Sequence, residues 1–92
     1  MVSIVLMNSF DYLVAAIDRA VARGWEAEAD ALGQLYQATG AALDSDAGAP
    51  GRIQAALEGI QRVDPRRARA IRPAFEGLIS GLEFELRMKE VA

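Results

Sequence analysis

The sequence predicts an all-α protein: a four-helix assembly of two helical hairpins, with a long kinked C-terminal helix, acting as a dimer. Three observations carry this expectation. Apolar residues recur at three- and four-residue spacing along most of the 92 positions, the period of a helix with one buried face. The breaks between those runs, Gly24 and Asp64-Pro65, are residues that stop and start helices. One small, polar stretch, residues 44–52, divides the chain into halves.

The elements follow in order. Residues 1–7 read as a tail or short strand, because VSIVLM shows no helical period. The first helix is expected to begin near Asn8 or Ser9, either able to cap its free amides, with Asp11 favourable in the first turn. Phe10, Leu13, Val14, Ile17 and Val21 form its stripe, and Gly24 stops it. The second helix spans about 26–43, with Trp25, Leu32, Leu35, Tyr36, Thr39 and Leu43 as its apolar face. Ala29 and Gly33 beside that face leave room for another helix. The link at Gly24 is short enough to force an antiparallel hairpin.

The linker DSDAGAPGR separates the hairpins. A third helix follows from about Arg52 to Val63, turning Ile53, Ala56, Leu57, Ile60 and Val63 inward. Asp64 then caps, and Pro65 opens, a fourth helix reaching about Glu90. Pro73 is expected to kink it, since the ring clashes with the preceding turn and removes a donor. Ile71, Phe75, Leu78, Ile79, Leu82 and Leu86 make its main stripe.

Composition narrows the chemistry. At 92 residues the chain is a single helical domain. A monomer of that size buries only about 60–65% of its unfolded surface, which favours oligomerisation. There is no Cys and no His, so disulfides, thiolate and imidazole metal sites, cysteine nucleophiles and imidazole acid–base catalysis are all excluded. Asp44 and Asp46 start like a calcium loop, but Ala49 stands where that loop requires Gly and Ala55 where it requires Glu. No metal, no cofactor and no enzymatic activity are expected. Val2–Met7 is too short to cross a bilayer and lacks the flanks of a signal peptide, so a cytoplasmic location is expected. The net charge of −3 argues against a general polyanion binder. Nine of ten bases are Arg and Ala is abundant, which reads as coding bias in a GC-rich bacterial genome.

Two features go beyond core-building. The fourth helix carries a second apolar stripe, Gly77, Gly81, Phe84, Met88 and Val91, when one stripe suffices to pack a helix. It is read as a partner or dimer interface, with the glycines allowing close approach and Phe84 and Met88 as anchors. Arg62, Arg66, Arg67, Arg69 and Arg72 lie within eleven residues. They read as a solvated face pairing with acids of the first hairpin, or as contacts to an acidic partner. A helix-turn-helix reading of this segment fails because Pro65 stands where the recognition helix needs an apolar packing residue.

In size and arginine content the chain resembles the dimeric helical chorismate mutases, and Ile17-Asp18-Arg19 matches a piece of their first helix. The lysine and terminal glutamine of that family have no counterpart, Lys89 being the only lysine, so no catalytic residue is carried over. Gly24-Trp25-Glu26 at the hairpin corner is similar to small flagellar export chaperones over that one turn. The expectation for function is a non-enzymatic, cytoplasmic regulator that occludes a partner protein, in the manner of an anti-activator, export chaperone, antitoxin or phage-encoded inhibitor. The competing reading is a nucleic-acid-binding regulator using the Arg62–Arg72 cluster.

Overall fold

The computed structural model describes residues 2–44 and 46–91, with side chains described for 8–44 and 46–90. Four helices, α1 (Val2–Ala22), α2 (Glu26–Leu43), α3 (Ala49–Val63) and α4 (Pro65–Val91), make up the described chain, and no strand occurs among these residues. Each helix packs along its sequence neighbour, and α4 returns to touch α1 along a shorter stretch. The 47 × 21 × 18 Å envelope matches the ~40 Å that a helix as long as α4 spans.

The hairpin corner follows its residues closely. Gly24 has φ +74°, a conformation that glycine adopts without a Cβ clash. The Gly24 amide donates to the Val21 carbonyl at 3.1 Å and the Trp25 amide to the Ala20 carbonyl at 2.9 Å. Those two bonds together close α1 as a Schellman motif. At the other sharp corner, the Arg67 amide donates to Asp64 Oδ1 at 3.1 Å. Asp64 is therefore the N-cap of α4, with Pro65 in the first helical position where its missing N–H costs nothing.

Two expectations require correction. Residues 2–7 are neither tail nor strand but the opening turns of α1, so Asn8 and Ser9 lie inside the helix rather than at its start. β-Branched residues tolerate a helix once it continues into a packed segment, and periodicity is hard to read in so short a run. The linker is shorter than 44–52. α3 already begins at Ala49, because Pro50 sits in its first turn, where proline is accepted. As expected, α4 continues as helix on both sides of Pro73. The carbonyl left without a donor belongs to exposed Arg69, where water can take over.

The core runs along all four helices: Leu13, Leu32, Leu35, Ile53, Leu57, Ile60, Ile71, Phe75, Leu78 and Leu82 are its large members. Alanines fill the interhelical seams at Ala16, Ala20, Ala31, Ala38, Ala56 and Ala68. This rotates the expected faces. On α1 the buried line is Ser9, Leu13, Ala16 and Ala20, with Phe10 and Ile17 at its margin, while Val14 and Val21 are exposed. On α2, Leu32, Leu35 and Thr39 are inside as expected, but Trp25, Tyr36 and Leu43 are outside. Val63 of α3 is also exposed. Buried Thr39 satisfies its hydroxyl by donating to the Leu35 carbonyl one turn back, at 2.7 Å.

Candidate interaction surface on the fourth helix

The inward side of α4 is complete: Ala68, Ile71, Phe75, Leu78 and Leu82 are buried, with Ile79 and Leu86 half-buried beside them. The second stripe lies on the far side of the helix. Gly77 is exposed, Gly81 half-buried, and Phe84 and Met88 are 59% and 52% exposed. Val91 is the last residue of α4, and its side chain lies outside the described residues. A Cβ built on Gly77 meets no heavy atom within 4 Å, so the backbone there is open to close approach. Phe84 and Met88 thus keep most of their surface in water, a cost that burying an aromatic or thioether side chain would recover.

An open cleft of about 380 Å³ continues this side of α4 toward its N-terminal half. It lies between α1 and α4 and is lined by Asn8, Ser9, Tyr12, Ala70, Ile71, Ala74 and Phe75. Sequence reasoning missed it. The available signal was the pair of small residues Ala70 and Ala74, one turn apart, which fill less of the α1–α4 seam than a larger pair would.

The five arginines do not form one surface. Arg67 turns inward: its Nε donates to Glu28 Oε1 at 2.7 Å and its Nη1 to the Tyr12 hydroxyl at 2.9 Å. The same Nε lies 3.9 Å from Asp64 Oδ2. The side chains of Arg67 and Glu28 are only 17% and 8% exposed. The bonds to Glu28 and Tyr12 hold the Arg67 guanidinium above its ordinary value, against partial burial. The Asp64 carboxyl is held below its usual range, first by a hydrogen bond with the Glu28 side chain and then by the Arg67 amide. Partial burial opposes this, while the Arg67 charge and the Arg66 amide add to it.

Arg72 pairs with Glu76 at 3.5 Å on the surface of α4. Arg66 and Arg69 are exposed and form no ion pair among the described residues. Arg62 lies apart from them, in a shallow groove between α2 and α3 with Arg52, Gln34 and Gln37. The cluster therefore divides into one structural tie, one local pair and three solvated arginines.

Among the described residues there is no group of His, Cys, Asp or Glu placed to hold a metal ion. No described helix is long and apolar enough to cross a membrane. No family model, curated protein or solved structure gives a match to the chain.

Proposed function

We propose that this protein is a non-enzymatic regulator that binds another protein through the outer side of α4 and occludes it. The observation that carries the reading is the exposure of Phe84 and Met88 beside the open backbone of Gly77, on a helix whose inward face is already filled. An apolar stripe with small residues at one end and bulky anchors at the other suits a helix or loop of a partner. A bend at Pro73 would leave Leu78 and Leu82 in the core and the outer side of α4 open. The same stripe would support a dimer when no partner is present.

The arginines favour this reading over nucleic-acid binding. Arg67 is committed to Glu28 and Tyr12, and a duplex needs several unengaged cations on one surface. Only Arg66 and Arg69 remain exposed and unpaired at the start of α4, enough for rim contacts to an acidic partner.

Affinity capture from the native cell tests the proposal. Wild type should retain a specific protein that Phe84→Asp and Met88→Asp variants lose while staying helical. A carboxylate in an apolar interface must be desolvated without a partner. Retention of nucleic acid, lost instead on changing Arg66 and Arg69 to Ala, would overturn the reading.

A further inference from the structure

A second apolar surface lies on the opposite hairpin, independent of α4. Phe10, Val14, Ile17 and Val21 of α1 repeat at four- and three-residue steps, as do Ala29, Gly33, Tyr36, Gly40 and Leu43 of α2. The two rows meet across the hairpin, where the Phe10 and Tyr36 rings pack edge to face with centroids 5.2 Å apart. Val14, Val21, Tyr36 and Leu43 are 40–65% exposed. A Cβ built on Gly33 or Gly40 meets nothing within 4 Å, so α2 leaves a shallow trough on either side of Tyr36. The alternating four–three step is the seam of a coiled coil, whose holes accept knobs from a further helix.

The rim of this trough carries one sign of charge. Asp11 and Asp18 stand beside the α1 row, and Glu26, Asp30 and Asp44 beside the α2 row. All five are exposed, and none forms an ion pair among the described residues. The hairpin's only exposed bases, Arg19 and Arg23, lie away from it. Arg19 follows buried Ala16 by three residues, on the other side of the core line, and the Arg23 guanidinium sits 5.1 Å over the Trp25 ring. A second copy of this hairpin would bring five acids against five, which disfavours self-pairing at this face.

We infer that the α1–α2 trough is a docking site for an amphipathic helix of another protein, with an apolar stripe at the four–three step and Lys or Arg along both flanks. The apolar floor supplies the contact area, while the acidic rim selects the charge and speeds encounter. The site is separate from the α4 stripe, and each can stand or fall without the other.

Titration of the full-length protein with two synthetic 21-residue helical peptides tests this. Both carry Leu at the four–three step, one with Lys and one with Glu at the flanking positions. The Lys peptide should bind at least tenfold more tightly than the Glu peptide, and more weakly as salt rises. Filling the trough with Gly33→Leu and Gly40→Leu, which improves helix propensity, should weaken the Lys peptide at least tenfold with helicity intact. Reversing the rim with Asp11→Lys, Asp18→Lys and Asp30→Lys should exchange the two preferences. Phe84→Asp should change neither affinity. Equal binding of the Lys peptide to the filled variant would show attraction to surface charge alone. Loss of binding in Phe84→Asp would assign the peptide to α4. Absence of binding, or a wild-type dimer dissociated by Gly33→Leu and Gly40→Leu, would equally overturn the assignment.

Discussion

Arg67 reaches across 39 positions of sequence to Glu28, with its Nε 2.7 Å from the carboxylate. The pair ties the first turn of α4 to α2, and Asp64, which caps that turn, belongs to the same cluster. Both charges are largely removed from water, so each depends on the other. Arg67→Ala or Glu28→Gln alone should cost about 3 kcal/mol, because one buried charge or dipole loses its partner. Replacing both together, by Glu28→Leu with Arg67→Met, should recover most of that loss. Urea midpoints of the three variants measure this directly.

The Asp64 carboxyl gives the fold an acid limit. Its folded value lies below the usual range, so the native state holds the ionised form more strongly than the unfolded chain does. The contribution is fully present above the unfolded value, near pH 4. It disappears as pH falls through the lower folded value. Asp64→Asn keeps a good N-cap but removes the titration. Its stability should fall less steeply than wild type between pH 5 and pH 2, followed by circular dichroism.

Leu57 is fully buried and Leu82 nearly so, whereas Glu58 and Glu83 are exposed. Leu57→Ala and Leu82→Ala should each cost about 2–4 kcal/mol. Glu58→Ala and Glu83→Ala should each cost under about 0.5 kcal/mol. Denaturation midpoints ranking the glutamates as more damaging would contradict the packing of α3 and α4.

Punctuation and the large core residues of α3 and α4 were legible in the sequence. Gly24, Asp64 and Pro65 act locally, through φ, a cap and a missing donor, and need no tertiary information. The inward sides of α1 and α2 were harder to read. Their seams are filled by Ala16, Ala20, Ala31 and Ala38, small residues that let helices approach closely while Val14, Val21, Tyr36 and Leu43 stay outside. Ranking faces by hydrophobic bulk therefore selects a stripe turned toward solvent. The exposed side of α4 is legible because Phe84 and Met88 are bulky and recur on a side the core does not use. Arg67 looked like its neighbours because only the fold brings Glu28 and Tyr12 to it.

Self-association should be measurable through the same stripe. A domain this small has apolar surface to spare, and covering Phe84 and Met88 in a twofold contact would bury them twice. Sedimentation equilibrium should show a dimer at micromolar concentration that Phe84→Asp dissociates. A wild-type monomer at ~100 μM, a concentration at which mass action would populate even a weak dimer, would confine the stripe to binding a different protein.

On the proposed function, a partner protein covers the outer side of α4. Amide hydrogen exchange, followed by mass spectrometry on the free protein and on its captured complex, reads that cover out residue by residue. Residues 77–91 should exchange readily in the free protein, as expected near a helix end, and slow at least tenfold in the complex. The Arg62–Arg72 segment should change little. Protection confined to Arg62–Arg72, with 77–91 exchanging as in the free protein, would contradict the claim.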